Sequence, residues 1–222
     1  MDLEISHVKK EFKNKPVLQD ITFSAKKGDC VGILGGNGCG KTTLLSILAG
    51  VLKADGGSFC LNGKELLNGK SVNRSEVGYV PQGTPLFEEL TAKDNLRLWY
   101  GKEELKKELS DGVLTMLGIP DFLNVQVSKM SGGMKKRLSI GCAVAGKQPV
   151  LLLDEPTAAL DLVCKQKIWD YLTDYRSKGG IVLLVTHDVQ EIERCTSCFL
   201  MKEGKLVPYA YDGDVRQLVE QL

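Results

Sequence analysis

The chain has 222 residues with 29 basic and 28 acidic side chains, so its formal net charge is +1. This length predicts one globular domain, residues 1–222, and the near-neutral balance offers no basic field for nucleic acid. The apolar runs at residues 150–153 and 181–185 fall far short of the ~20 residues that span a bilayer. The first five residues lack the pattern of a signal peptide, so we expect a cytosolic chain.

Seven scattered cysteines, an odd number, favour reduced thiols over a disulfide framework. Cys195 and Cys198 form the only C-x-x-C pair, and a structural zinc site would need two further ligands from His7, His187 or isolated cysteines. We therefore interpret the cysteines as small hydrophobic residues.

The spacing of apolar residues predicts the elements in chain order. Alternation near the N-terminus, at residues 3–5 and 21–25, predicts two half-exposed antiparallel strands. Continuous apolar runs at residues 30–34, 150–153 and 181–185 predict strands buried on both faces. Helical periodicity covers residues 41–48, 92–100, 102–117, 132–145, 161–178, 188–193 and 214–222.

Strands that alternate with helices predict an α/β fold with parallel strands. Residues 83–147 hold three of the predicted helices and no convincing strand pattern. We expect this stretch to form a helical subdomain inserted between two strands of the sheet.

A glycine-rich loop follows the first buried strand and fits the pattern G-x-x-x-x-G-K-[ST]. Glycines let the backbone wrap around phosphate oxygens, Lys41 would place a charge on the β- and γ-phosphates, and Thr42 would offer a hydroxyl to Mg²⁺. A structural glycine turn is the alternative. The candidate phosphate-binding residues are Gly35, Asn37, Gly38, Cys39, Gly40, Lys41, Thr42 and Thr43.

Two carboxylates, Asp154 and Glu155, end the buried strand 150–153. The carboxyl ends of parallel strands border the ligand crevice of an α/β sheet. Asp154 is therefore placed to hold Mg²⁺, and Glu155 is a candidate general base for an attacking water. The alternative is that Glu155 only charges the first turn of a following helix.

Ser131, Gly132 and Gly133 stand immediately before a predicted helix. A serine cap followed by glycines leaves the helix N-terminus open to an anion, although such a turn is also common without any ligand.

Taken together, the motifs resemble the ATP-binding subunit of an ATP-binding cassette (ABC) transporter over about residues 3–214. The resemblance implies a P-loop NTPase fold with a mixed central sheet, an N-terminal antiparallel β-subdomain and an inserted helical signature subdomain. The motifs that carry it are the Walker A loop 35–42, the Q-loop Gln82, the signature 131–135, the Walker B strand 150–154 with Glu155, the D-loop 159–161 and the switch His187.

The resemblance also implies how the residues act. Two cassettes would pair head to tail, so that Ser131, Gly132 and Gly133 of one meet ATP on the Walker A loop of the other. Asp161 would line the seam. Gln82 would reach Mg²⁺ and the attacking water, and His187 would hold Glu155 and the γ-phosphate in register. The simpler interpretations are a turn glutamine and a loop histidine.

An aromatic residue shortly after the first strand usually stacks on adenine in this family. Phe12 is the match, and Val17 would pack beside the base; the alternative for Phe12 is a core residue at the sheet edge.

The signature departs from its commonest form at Met130 and Met134, and residues 131–138 resemble ABC-2-type exporters. The resemblance therefore implies a Mg²⁺-dependent ATPase that pairs with a second ABC ATPase subunit, with a homodimer favoured. It also implies that the pair energises a separate integral membrane permease, with export favoured over import. The cassette would sit peripherally on the inner face of the cell membrane, with residues 83–98 as the docking surface.

Two rival functions remain at this point. A soluble cassette ATPase of nucleic-acid or ribosome metabolism is one, although the chain lacks the insertions and zinc modules that are usual there. A P-loop kinase is the other, but it would leave Ser131 and His187 without roles.

Overall fold

A computed structural model describes residues 2–67 and 75–221. Met1, and Leu222 at the end of the predicted helix 214–222, lie outside the described residues. In the described ranges the strands are β1 (Asp2–Phe12), β2 (Lys15–Lys26), β3 (Cys30–Leu34), β4 (Gly56–Leu61), β5 (Lys64–Glu65), β6 (Val77–Val80), β7 (Val150–Asp154), β8 (Ile181–Val185), β9 (Ser197–Lys202) and β10 (Lys205–Tyr209). The α-helices are α1 (Lys41–Leu48), α2 (Ala92–Arg97), α3 (Lys102–Asp111), α4 (Val113–Met116), α5 (Gly132–Ala143), α6 (Leu162–Ser177), α7 (Val189–Ile192) and α8 (Val215–Gln221).

The first sheet is antiparallel, with the strand order β2-β1-β4-β5. Leu3 and Ile5 on β1 are buried, as are Ile21 and Phe23 on β2, while their sequence neighbours are mostly exposed. The two predicted antiparallel strands with one buried face are therefore confirmed.

The second sheet has the order β10-β9-β3-β8-β7-β6 and is mixed. Its strands run parallel except for β10, which is antiparallel to β9. Every residue of β3, β7 and β8 is buried, as their continuous apolar runs predict.

Two apolar cores flank the mixed sheet. On one face, side chains of β3, β7 and β8 pack against α1 and the antiparallel sheet. On the other face, alternate residues of the same strands pack against α5, α6 and the helices between β6 and β7. The carboxyl ends of β3, β6, β7 and β8 are thereby fixed side by side at one edge.

The predicted helix 102–117 is wrong as a single element, because it breaks at Gly112 between α3 and α4. The Glu108 carboxylate folds back and accepts a hydrogen bond from the Val113 N–H at 3.0 Å, which caps α4. A Cβ on Gly112 would lie 2.1 Å from the Glu108 Oε2 atom, so glycine permits this close approach.

Other predicted helices differ at their ends. The helices predicted from residues 161 and 188 begin one residue later, because Asp161 and Asp188 act as N-caps of α6 and α7. The helix predicted at 92–100 ends at Arg97 and the one at 132–145 ends at Ala143. None of the helices in the described ranges combines the length and hydropathy needed to cross a bilayer.

Candidate functional site

The loop between β3 and α1 is shaped by glycine. Gly35 and Gly40 have φ values of +150° and +115°. A Cβ on Gly35 would lie 2.5 Å from the Met201 carbonyl oxygen, and one on Gly40 would lie 2.9 Å from the Leu18 side chain. Glycine is therefore required at both positions for the backbone to curl over β9 and β2.

Lys41 opens α1 and is only 7% exposed. Its ammonium donates hydrogen bonds to the carbonyl oxygens of Gly35 at 2.6 Å and Gly36 at 2.9 Å. The positive charge is thus held inside the loop, where backbone N–H groups and the start of a helix also favour an anion.

The other predicted residues of the loop lie where an incoming phosphate could reach them. Asn37, Gly38 and Thr42 are exposed, while Cys39 and Thr43 are half-buried. The Cys39 sulfur fills the space beside Gly35.

Val17 and Phe12, the predicted adenine neighbours, differ in position. The Val17 carbonyl oxygen lies 3.0 Å from the place of a Cβ on Gly40, so this residue borders the loop. Phe12 is 45% exposed at the end of β1, and the Lys10 ammonium lies 5.3 Å from its ring centroid. No contact of the described residues joins the Phe12 ring to the loop, so its role on adenine stays a prediction.

Asp154 is the last residue of β7 and is 1% exposed. Burial raises the pKa of its carboxyl, and a hydrogen bond with the Thr42 hydroxyl opposes that shift. Its Oδ2 atom has no hydrogen-bond partner among the described residues. An orphaned carboxylate oxygen beside a threonine hydroxyl is the oxygen donor set that suits Mg²⁺.

Glu155 stands at the centre of the site. Its N–H donates to the Val185 carbonyl oxygen at 2.9 Å, and its φ is +49°, in the left-handed region. The Gln82 amide donates to Glu155 Oε2 at 3.0 Å, and His187 Nε2 lies 3.4 Å from Oε1. The structure therefore brings together three residues that are far apart in the sequence, with Gln82 and His187 on the two sides of the carboxylate.

His187 follows β8 and is partly exposed. Burial and the charge of Lys41 lower the pKa of its imidazole, and the carboxylates of Glu155 and Asp154 only partly offset this. The ring therefore stays neutral at physiological pH and keeps one nitrogen that can accept a proton.

The serine turn at residues 131–133 lies on a different surface. The Ser131 hydroxyl accepts a hydrogen bond from the Met134 N–H at 3.2 Å and caps α5, while Ser131 and Gly132 remain exposed. A Cβ on Gly133 would lie 2.6 Å from the Cys164 sulfur of α6. The turn thus packs on the start of α6, whereas the glycine loop packs on β2 and β9.

Asp161 lies beside this turn. Its carboxylate accepts a hydrogen bond from the Cys164 N–H at 2.8 Å, and such backbone hydrogen bonds lower the pKa of Asp161. Leu162 and Val163, the next two residues, are 76% and 67% exposed. An apolar pair is thus open to solvent next to the serine turn.

Sequence reasoning missed Lys136, which is 5% exposed on α5. Its ammonium donates to the carbonyl oxygens of Pro81 and Gln82, both at 3.1 Å. Burial lowers the pKa of Lys136, and nearby carboxylates oppose the shift. The sequence held a signal for the burial of Lys136. This lysine follows Gly133 by three residues, so it lies on the same face of the helix as that buried glycine.

Glu191 was missed as well. It is 2% exposed, and its carboxylate accepts hydrogen bonds from the hydroxyls of Thr157 and Thr186. Burial raises the pKa of Glu191, and the two hydroxyls oppose that shift. Its position in the short helix that Asp188 caps, four residues after His187, was the available signal.

The glycine loop, the buried carboxylate and the Glu155 cluster at one sheet edge define a nucleotide-binding ATPase of the P-loop class. The chain belongs to the ABC transporter family, whose sequence profile matches residues 18–158.

The similarity extends over nearly the whole chain. It is 33% identical over 210 residues to the Nod factor export ATP-binding protein I of Paraburkholderia xenovorans, covering 92% of this chain and 69% of that protein. It is 32% identical over 213 residues to the probable multidrug ABC transporter ATP-binding protein YbhF of Escherichia coli, covering 94% of this chain. The chain spans only 36% of the length of YbhF.

A solved cassette, MJ0796, has the same fold. Its dimeric post-hydrolysis structure with ADP and phosphate superposes with a TM-score of 0.84 at 27% identity, covering 96% of this chain and all of that one. These findings confirm the predicted fold class and the predicted ATPase.

Proposed function

We propose that this chain is the ATP-hydrolysing subunit of an ABC exporter and drives a separate membrane permease. The observation that carries the proposal is Glu155, which is held between Gln82 and His187 beside the buried Asp154. A relative named as a Nod factor export ATP-binding protein and one named as a probable multidrug ABC transporter ATP-binding protein support export.

ATP would bind with its phosphates in the glycine loop. Lys41 would exchange its bonds to the carbonyl oxygens of Gly35 and Gly36 for the β- and γ-phosphates. Thr42, Asp154 and Gln82 would hold Mg²⁺, which when bound neutralises charge on the phosphates. The orphaned Asp154 oxygen supports this assignment.

Glu155 would then orient the water that attacks the γ-phosphorus. The water oxygen forms a bond to phosphorus as the bond to the bridging oxygen of ADP breaks, and a water proton passes to the Glu155 carboxylate. The neutral His187 ring carries one N–H, which would donate to the γ-phosphate while the ring packs beside Glu155. The products are ADP and inorganic phosphate.

The second anion site serves a partner subunit in this proposal. Ser131, Gly132 and Gly133 would meet the γ-phosphate on the glycine loop of a second copy, paired head to tail. The exposure of this turn and of the apolar pair after Asp161 supports an interface there, and MJ0796 is itself dimeric in the solved structure.

The permease would dock on residues 83–98 of the helical subdomain. Phe87 and Leu98 in this stretch are 58% and 55% exposed, and the adjacent Trp99 is 58% exposed. Large exposed apolar side chains in a cluster are typical of a protein contact. The cassette would then lie on the inner face of the membrane.

Co-purification tests this docking surface. A membrane protein should co-purify with the wild-type chain but not with a Phe87→Ser, Trp99→Ser double variant.

The substitution Glu155→Gln tests the proposed catalysis. It preserves shape and the Gln82 contact but removes the base, so we expect the rate of ATP hydrolysis to fall at least about 100-fold while ATP binding persists. Sedimentation with ATP and Mg²⁺ should then show a trapped dimer. Glu203→Gln is the matched control, because Glu203 also has a positive φ of 47° but lies in the turn between β9 and β10.

Two results would contradict the proposal. Rapid hydrolysis by Glu155→Gln would remove Glu155 as the base. Stimulation of wild-type turnover by nucleic acid would instead favour a soluble cassette of nucleic-acid metabolism.

A further inference from the structure

Two buried threonines stand next to the reacting residues. Thr157 follows Glu155 by two residues in the loop after β7, and Thr186 immediately precedes His187 at the end of β8. Both side chains are almost fully buried, at 1% and 2% exposure. Packing around each threonine therefore fixes the backbone of the loop that contains it.

One carboxyl group joins these two loops. Glu191 Oε1 accepts a hydrogen bond from the Thr157 hydroxyl at 2.6 Å, and Oε2 accepts one from the Thr186 hydroxyl. The Thr186 oxygen in turn accepts a hydrogen bond from the Asp188 N–H at 2.9 Å. The side chain of Glu191 thus bridges the loop that carries Glu155 and the loop that carries His187.

We propose that Glu191 is a positioning residue that sets the separation of Glu155 and His187 for hydrolysis. The inference rests on the catalytic roles proposed above for those two residues. Glu191 does not touch the reacting atoms in this account; it acts through Thr157 and Thr186.

Burial makes a purely space-filling role a poor explanation for this side chain. A carboxyl group that is 2% exposed costs free energy to desolvate, and an apolar side chain of similar size would avoid that cost. Its two hydrogen bonds instead fix two backbone segments at once. A displacement of about 1 Å between a general base and its partner lowers the reaction rate on the order of 10²-fold.

The test compares Glu191→Gln with wild type in the full chain. Glutamine keeps one oxygen acceptor but replaces the other with a donor, so one threonine hydroxyl loses the acceptor for its proton and must reorient, which weakens the bridge between the two loops. We expect kcat for ATP hydrolysis to fall about 10- to 100-fold, the range typical for supporting residues, with KM within about twofold of wild type. Glu193→Gln, an exposed neighbour, is the matched control and should keep the wild-type kcat.

A double-mutant cycle with His187→Ala separates positioning from simple stability. If Glu191 acts by aligning His187 with Glu155, its substitution should lower kcat much less once His187 is gone. An equal fold-loss in both backgrounds would overturn the proposal, as would wild-type kcat in Glu191→Gln.

The threonine variants keep the test decisive if Glu191→Gln folds poorly. Thr157→Ser retains the hydroxyl and should keep most of the wild-type kcat, whereas Thr157→Val should reproduce the loss at unchanged KM. Equal kcat values for the two variants would contradict the bridge.

Failure of the underlying catalytic assignment has a different signature. In that case Glu155→Gln would itself turn over ATP rapidly. Failure of the Glu191 inference alone leaves Glu155→Gln inactive while Glu191→Gln behaves like wild type.

Discussion

The cluster around Glu155 and the serine turn at residues 131–133 differ in how far they are assembled. The Glu155 carboxylate already accepts a hydrogen bond from Gln82 on one oxygen and faces His187 on the other. In the serine turn, the Ser131 hydroxyl accepts a hydrogen bond from the helix that it caps, and a Cβ on Gly132 would meet open space. The groups around Glu155 are thus prearranged within one chain, while the serine turn presents an open surface.

Lys136 connects these two regions. It belongs to the helix that Ser131 caps, yet its ammonium bonds the backbone carbonyls of Pro81 and Gln82. A movement of α5 would therefore be transmitted to the Gln82 segment. The comparison suggests three experiments in addition to the substitutions at Glu155 and Glu191.

The largest effect is expected from Ser131→Arg. An arginine at this helix N-terminus would block the approach of another subunit's nucleotide, so ATP-driven dimerisation should disappear and hydrolysis should fall at least about 100-fold. ATP affinity of the monomer should stay within about twofold, because the glycine loop packs on a different surface. Sedimentation and nucleotide titration measure the two quantities.

Ser128→Arg is the control, since Ser128 is exposed three residues earlier. Loss of monomeric ATP binding in Ser131→Arg would show that the two sites are not separate within the chain.

A smaller effect is expected from Lys136→Met. Methionine keeps the length of the stem but leaves the carbonyl oxygens of Pro81 and Gln82 without their donor, so the Gln82 segment should lose its fixed position. We expect the rate of hydrolysis to fall about tenfold at saturating ATP, with dimerisation retained. Lys135→Met, which removes only a partly exposed ion pair with Glu88, should leave that rate unchanged. An unchanged rate in Lys136→Met would break the proposed connection.

The smallest effect concerns the pH dependence of stability. Burial holds the pKa of His187 below its ordinary value of 6.5, so the unfolded chain takes up the proton first as the pH falls. The contribution of the neutral ring to the free energy of unfolding should therefore decrease as the pH falls below about 6.5. Denaturant titrations of wild type and His187→Ala at several pH values measure this.

The sign of the trend is the critical observation. The difference in unfolding free energy, wild type minus variant, should become smaller as the pH falls. A difference that grows on acidification would mean that the imidazole is charged in the folded protein. The assignment of a neutral ring to His187 would then be wrong.

The sequence was sufficient for features that depend on local pattern. The buried strands are continuous apolar runs, and the glycine loop and the acidic pair stand at strand ends where the topology brings them together. Strands β4, β5, β6, β9 and β10 were not predicted, because they are short and mix polar or glycine residues with apolar ones or, as in β5, contain no apolar residue. Tertiary pairing with neighbouring strands decides their conformation.

The long-range hydrogen bonds escaped prediction for a different reason. Lys136 and Pro81 are 55 residues apart, and Thr157 and Glu191 are 34 apart. A charged residue in a helical pattern is ordinarily assigned to the solvent face. Only the packed structure shows that these two charged residues face inward to polar partners.

The backbone at Glu155 has a consequence for engineering. A non-glycine residue with a φ of +49° costs on the order of 1 kcal/mol relative to glycine. Glu155→Gly would relax the turn but would also remove the carboxylate that accepts the hydrogen bond from Gln82. The backbone at this position thus favours glycine, whereas the role proposed for the side chain requires glutamate.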